Sequence, residues 1–353
     1  MTHIVIIGAG IAGLAAASRL SADAKVTVLE RETHIGYHAS GRSAAMFEEN
    51  YGNDTVRALN RASRPVHEAL GVLAPRGLLG VARAGDGAAF EADIRGLGLI
   101  EVPVAEARAR VPILADDIRR AGIHEGAFDI DTDLLMQKFL AEARAQGAEL
   151  RLGTELTGLQ HNDGWELSLT GETLRADMLV NAAGAWADRI ARLAEAKPLG
   201  MQPYRRSMAR LPAPGGHDVS GWPMLMGPGE SWYAKPDAGA WIVSPGEEDP
   251  VEPMDAWADD MVLAEGLARY QPYVTEEVTR VETNWAGLRT FAPDRSLVIG
   301  EDPDVDGFFW MAGQGGYGFQ TAPAAGALLA DLVNGRKSPL GANLVTALSP
   351  GRF

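Results

Sequence analysis

Cysteine is absent from this chain of 353 residues. That excludes disulfide scaffolds, thiolate zinc sites, iron–sulfur clusters, a catalytic thiol and a cysteinyl tether to any cofactor. Long apolar runs are missing as well, none reaching the roughly 18–20 residues that span a bilayer. Positive charge is scarce: 32 Lys+Arg face 47 Asp+Glu, a formal net charge of −15. Nucleic acid and anionic membranes reward basic patches, so neither is an expected partner. The 7 histidines show no HxH or HExxH spacing, and no metal site is expected. There is no GxSxG elbow and no GxxxxGK[ST] loop. The apolar opening Met1–Ile7 lacks a basic flank and is interrupted by Gly8, Gly10 and Gly13, so the expectation is a cytoplasmic protein without an export signal.

What is present is 46% hydrophobic residues and 41 glycines. The length exceeds one ordinary hydrophobic core, and two domains are expected. Ile4-Val5-Ile6-Ile7 reads as a strand buried on both faces. It runs into Gly8-Ala9-Gly10-Ile11-Ala12-Gly13, then a helix-forming Leu/Ala stretch, then the strand Lys25–Leu29 ending at Glu30. Asn53 to Leu70 reads as a helix, and Asp131-Thr132 opens another that Gly147 closes. A hairpin is expected over Leu150 to Leu169 through Asn162-Asp163-Gly164. From Gly200 to Leu288 the character changes to Trp- and Pro-rich antiparallel strands, with a hairpin turn at Pro236-Asp237-Ala238-Gly239. The opening style returns with a strand at Phe308–Ala312, a glycine loop over Gly313–Gly318 and a helix from Pro323 to Val333. The pattern implies a discontinuous nucleotide-binding domain (1–72, 127–206 and 288–353). A substrate domain is inserted in two pieces (73–126 and 207–287).

The glycine motif has a chemistry attached to each part. Gly8 permits the tight turn, Gly10 lets the backbone approach a pyrophosphate, and Gly13 lets helix pack on strand. A helix N-terminus beginning near Ala12 offers free N–H groups to phosphates. Glu30 stands 17 residues after Gly13, placed to accept hydrogen bonds from ribose hydroxyls. The motif alone does not separate NAD from FAD.

The following segments do. Gly36-Tyr37-His38-Ala39-Ser40-Gly41-Arg42-Ser43-Ala44-Ala45, Val180-Asn181-Ala182-Ala183-Gly184-Ala185-Trp186 and Gly313-Gln314-Gly315-Gly316-Tyr317-Gly318 come first. With them stand Pro203–Ser207, Ser231–Pro236 and Asn284–Arg289. In that order the chain resembles the D-amino acid oxidase superfamily of FAD enzymes, and within it the bacterial D-arginine dehydrogenase type of D-amino acid dehydrogenase. The resemblance implies an α/β plus α+β fold. A discontinuous Rossmann-like, glutathione-reductase-like FAD-binding domain would carry an inserted antiparallel-sheet substrate domain. It implies that Glu30, Arg31, Ala39 to Met46, Leu156, Ala183, Gly184, Trp186 and Gly315 to Gln320 hold the cofactor. That last stretch includes Gly316, Tyr317, Gly318 and Phe319. Independently, a glycine turn ahead of a helix aims N–H groups at the flavin edge where negative charge develops. Without cysteine the FAD is expected to be non-covalent; His34 and His38 are the nearest candidates for any histidyl link.

On the substrate side the resemblance assigns Arg289 to the carboxylate, which its planar fork suits. Arg206, Tyr233 and Tyr51 are further carboxylate contacts, and Gly316 offers its carbonyl to the amine. Met46, Leu78 and Tyr317 line the pocket. Where relatives that prefer D-arginine carry His and an acid, this chain has Met46 and Leu78, which favours a less cationic substrate. Glu48 and Glu49, as charged loop residues, are expected to be solvated. The expected reaction is oxidative deamination of a small amino acid of D configuration, with hydride passing from Cα to flavin N5 and the imine hydrolysing to a 2-oxo acid. A secondary amine (sarcosine- or glycine-like) or 2-hydroxy acid substrate is the alternative. So, from another class, is an FAD-carrying subunit of a larger dehydrogenase. The electron acceptor is a quinone-like carrier or oxygen.

Overall fold

The computed structural model, which describes residues 1–353, is built on two large sheets. The first has six strands in the order Val298–Glu301, Phe308–Ala312, Met178–Asn181, His3–Ile7, Lys25–Leu29, Glu149–Arg151. All neighbours are parallel except the first pair. The apolar run Ile4–Ile7 has the reason anticipated for it. Ile4 and Ile6 join a core with helices Ile11–Leu20, Thr132–Ala145 and Gly318–Val333. Val5 and Ile7 face the opposite way into a core with Trp165, Leu167, Ile190 and Trp310. Alternation sends successive side chains to opposite faces, so a strand covered on both must be apolar throughout.

The second sheet has nine strands. Its path runs Asp249–Pro250, Gln202–Leu211, Ala240–Ser244, Tyr233–Asp237, Met224–Met226, Leu78–Arg83, Ile118–His124, Ile100–Val102, with Thr283–Phe291 also pairing Gln202–Leu211. One face packs Trp222, Trp232, Trp241 and Tyr270. The other carries Leu78, Met208, Met226 and Tyr233. This sheet is not wholly antiparallel: Leu78–Arg83 runs parallel to Met224–Met226. That parallel pairing brings segments 73–126 and 207–287, expected as two pieces of one substrate domain, into one sheet. The strands Gln202–Leu211 and Thr283–Phe291 pair along nine positions. They run unbroken across positions 206 and 287, the expected domain boundaries.

Local signals account for most element ends. Asn53 Oδ1 accepts from the Val56 N–H and Asp131 Oδ1 from the Leu134 N–H, capping helices Asp54–Leu70 and Thr132–Ala145. The Tyr233–Asp237/Ala240–Ser244 hairpin turns through Ala238 and Gly239, both left-handed.

Two element expectations are corrected. The hairpin begins at Leu156, because Leu150 belongs to the parallel edge strand Glu149–Arg151. The last long helix starts at Gly318, five residues before Pro323. Proline there is accommodated beside the neighbouring helix Asp54–Leu70: the Ala324 N–H donates to Ser63 Oγ, and the Gln320 carbonyl accepts from His67 Nε2 at 3.0 Å. Replacement partners of this kind are what a proline inside a helix requires.

Candidate active site

Two adjoining cavities run between the sheets. The first lies at the carboxyl ends of His3–Ile7 and Lys25–Leu29, where open α/β sheets place their ligands. Gly8, Gly10, Ala12, Glu30, Arg31, Leu156, Ala183, Gly184 and Trp186 wall it. A Cβ on Gly8, whose φ is +106°, would meet the Ala182 carbonyl oxygen at 2.6 Å. One on Gly13 would sit 1.9 Å from the Gly8 carbonyl oxygen. Gly13 is therefore a packing glycine and does not face the cavity. Ser40 Oγ accepts from the Ile11 N–H, which fastens the Gly36–Met46 segment over the helix start. Glu30 is held by the Ala9 and Glu32 N–H groups at 2.8 and 3.0 Å. Arg31 lies 4.3 Å from the Trp186 ring centroid, a cation–π pair at the cavity rim. His38 is engaged by Glu32 at 2.9 Å.

Ile11, Ala39, Ser40, Leu288, Gln314 and Gly315 wall both cavities, so the two adjoin. The second cavity adds Arg42, Ser43, Ala44, Ala45, Met46, Gly316, Gly318, Phe319 and Gln320 from the cofactor-side segments. Gly41 sits just outside, its N–H on the Gly36 carbonyl. Gly315 has φ +51° and no room for a Cβ, which would collide with the Phe291 ring at 2.2 Å. An elongated dinucleotide suits this trough. Its ribose end would meet Glu30, its phosphates the start of Ile11–Leu20, and its isoalloxazine the first N–H groups of Gly318–Val333, which have no helical acceptor.

The second sheet contributes the far wall: Leu78, Arg206, Met208, Met224, Met226, Tyr233 and Arg289. Arg289 is deep in the fold, and the 19% of its side chain that stays exposed faces this cavity. Its closest polar contacts are both 3.5 Å, to the Tyr233 hydroxyl and to Glu230 Oε1. With the Tyr51 hydroxyl also beside it, most of its five N–H donors still lack a short partner. Gly316 lies against this guanidinium; a Cβ there would come within 3.3 Å of it.

Arg206 and Tyr51 converge on the same place but are already engaged. Arg206 Nε donates to the Glu247 carbonyl at 2.8 Å and Nη1 to Glu230 at 3.1 Å. The Tyr51 hydroxyl donates to both oxygens of Glu230 at 2.9 and 3.0 Å. Burial pushes the Glu230 carboxyl up, yet Arg289, Arg206 and the Tyr51 hydrogen bond more than offset it and hold it below the ordinary carboxylate value. Burial, with the Glu230 charge beside it, pushes the Tyr51 phenol up, so it keeps its proton.

Sequence reasoning missed Glu230 entirely. The only signal was an acid after a Pro-Gly turn, three residues before the strand that begins at Tyr233. It also misplaced two residues. Glu48 is buried, 5% exposed, and its Oε2 lies 2.6 Å from His124 Nδ1. It follows the strand Met46–Phe47, whose pairing carries it inward. Tyr317 does not line the cavity; its ring packs edge-on to Tyr51 and Phe291 in the core. Met46 and Leu78 do line it, at an apolar end with Leu97, Met208, Met224 and Met226.

With this geometry in place, likeness to known proteins is informative. A glycine oxidase of Pseudomonas aeruginosa is 26% identical over 369 residues, covering 95% of each chain. The uncharacterized oxidoreductase YurR of Bacillus subtilis is 27% identical over 254 residues, 69% of this chain and 64% of its own. The bifunctional tRNA 5-methylaminomethyl-2-thiouridine biosynthesis protein MnmC of Ralstonia nicotianae is 28% identical over 99% of this chain, but this chain spans only 60% of MnmC. The crystal structure of glycine oxidase from Geobacillus kaustophilus superposes with a TM-score of 0.84 over the full length of both chains, at 23% identity, and so shares the fold. A family model described as FAD dependent oxidoreductase, DAO, matches residues 3–332. The chain is a member of the DAO family of FAD-dependent oxidoreductases.

Proposed function

We propose that the protein oxidises the Cα–N bond of a small amino acid, of D configuration, giving an imine that water hydrolyses to a 2-oxo acid and ammonia. The observation that carries the reading is Arg289. It is a guanidinium deep in the fold, facing the cavity where the Gln314–Gly318 loop meets the second sheet, with no polar contact closer than 3.5 Å. Glu230 balances part of the guanidinium charge, but the guanidinium N–H donors lack close partners, and buried donors without partners cost free energy unless a ligand completes them. A carboxylate is the ligand whose geometry matches the fork. The glycine oxidase relative supports an amino acid as the class of substrate. The D configuration rests on the motif resemblance to D-amino acid dehydrogenases.

FAD, when bound, supplies the two-electron acceptor. The chain's own residues supply orientation. Arg289 and the Tyr233 hydroxyl hold the carboxylate, and the Gly316 carbonyl accepts from the amine. Arg206 and Tyr51, both bound to Glu230, brace Arg289 rather than grip the substrate themselves. The apolar end around Met46, Leu78 and Met226 takes a side chain without charge. No side chain at the cavity is free to act as a base: Met46 has no basic atom, and Glu48 and Glu230 are engaged. Water therefore takes the amine proton.

The test is product stoichiometry. Turnover of D-alanine and similar D-amino acids with an artificial acceptor should release one ammonia and one 2-oxo acid per two electrons. Formaldehyde from sarcosine, without ammonia from any D-amino acid, would assign the protein to secondary amines instead.

A further inference from the structure

Glu230 has no part in holding a carboxylate substrate, yet it occupies the centre of the group that would do so. It sits between Arg206, Arg289 and Tyr51, and its turn is firmly tied. The Gly229 N–H donates to Asp93 Oδ2 at 2.8 Å, and the Glu230 N–H to the Gly227 carbonyl at 3.1 Å. Gly246 packs so closely under the Glu230 carbonyl that a Cβ there would stand 2.3 Å away. Glu230 itself has φ +56°, a left-handed conformation that non-glycine residues adopt at some cost. A side chain braced this way is a fixed part of the cavity wall.

Charge then decides what the anchor accepts. Of the two arginines beside Glu230, only one is left without further partners. Arg206 is used up by Glu230, by the Glu247 carbonyl and by Glu248 at 3.6 Å. Arg289 alone remains. From this geometry we infer that Glu230 is a specificity-determining residue, which limits the anchor to substrates with one carboxylate and excludes dicarboxylates. The inference rests on the carboxylate reading of Arg289 given above. A second carboxylate near the first would face Glu230 across a few ångströms of poorly solvated space. At an effective dielectric constant of about 20, that repulsion is worth at least about ten-fold in affinity.

Propionate and malonate test this directly, because malonate is too short to carry its second carboxylate away from the anchor. Each is titrated into the oxidised, FAD-loaded protein at about pH 8, where both acids are fully ionised, and binding is read from the change in flavin absorbance. The wild type should bind propionate at least about ten-fold more tightly than malonate. In Glu230→Gln, which keeps the acceptor for Tyr51 but not the charge, that preference should shrink about ten-fold or more. A bracing role alone would weaken both acids together and leave the ratio fixed, and an unchanged ratio overturns the inference. So does wild-type binding of malonate as tight as propionate, a result that needs no variant. If neither acid binds at millimolar concentration, it is the carboxylate reading of Arg289 that fails, and the inference with it.

Discussion

Replacing Arg289 by methionine keeps the length of the side chain and removes its charge and donors. In the free protein the guanidinium makes no polar contact shorter than 3.5 Å, so the variant breaks no strong internal hydrogen bond. Glu230 keeps Arg206 and Tyr51 as partners, so the larger loss falls on the ligand. A carboxylate at about 4 Å gains roughly 4 kcal/mol at an effective dielectric constant of about 20, before its own desolvation is counted. Truncating one partner of such a pair costs about 2–5 kcal/mol in measured cases. We therefore expect Arg289→Met to weaken propionate by about 30- to 5000-fold. The same variant should lower kcat/KM for the amine substrate by a similar factor, mostly through KM, since the carboxylate is held alike before and during reaction. Arg289→Lys keeps the charge and loses the fork, and should fall between. Flavin absorbance titration gives the dissociation constant, and anaerobic stopped-flow reduction gives the rate. If Arg289→Met carries a full complement of FAD and binds propionate within about three-fold of wild type, the anchor lies elsewhere and the argument fails.

Three further outcomes are expected. Gly13→Val would force a side chain into the Gly8 carbonyl, where even a Cβ stands at 1.9 Å; the purified variant should be colourless, and normal flavin content would contradict the packing role. With no cysteine in the chain, acid precipitation should leave FAD in the supernatant, whereas yellow retained in the pellet would reveal a histidyl link. Two histidines should tilt stability in opposite directions with pH. Burial lowers the pKa of His67, so its contribution favours folding above about pH 6.5 and is lost as pH falls, when the unfolded chain takes up the proton. The Glu48 hydrogen bond raises the pKa of His124, so its contribution is complete below about pH 6.5 and is lost as pH rises through the higher native value. Melting temperatures should accordingly flatten on the acid side in His67→Leu and on the alkaline side in His124→Asn; curves parallel to wild type would refute both assignments.

The first thirty residues declared their structure because strand, glycine turn, helix and acid each follow from local chemistry. Caps at Asn53 and Asp131 and the Ala238-Gly239 turn were legible for the same reason. Long-range convergence was not. Tyr51 and Glu230 are 179 positions apart, and nothing in either neighbourhood announces the other. Periodicity reports which face is buried, and so it correctly anticipates apolar strands. It says nothing of a charged side chain carried inward by pairing, as Glu48 is. The early start of the helix at Gly318 was hidden because Pro323 reads as a first-turn residue until Ser63 and His67 are seen to partner the backbone groups of Ala324 and Gln320 beside it. Leu78–Arg83 and Met224–Met226 were expected within one substrate domain, but the parallel direction of their contact is reported by no local pattern.

The central claim is that a carboxylate-bearing amine reduces the flavin held in this trough. Anaerobic mixing of the oxidised protein with a panel of D-amino acids, glycine, sarcosine and 2-hydroxy acids measures it directly. Bleaching of the flavin by small apolar D-amino acids, with weaker or no bleaching by the hydroxy acids, is the predicted result. A flavin that stays oxidised with every amino acid in the panel would contradict it.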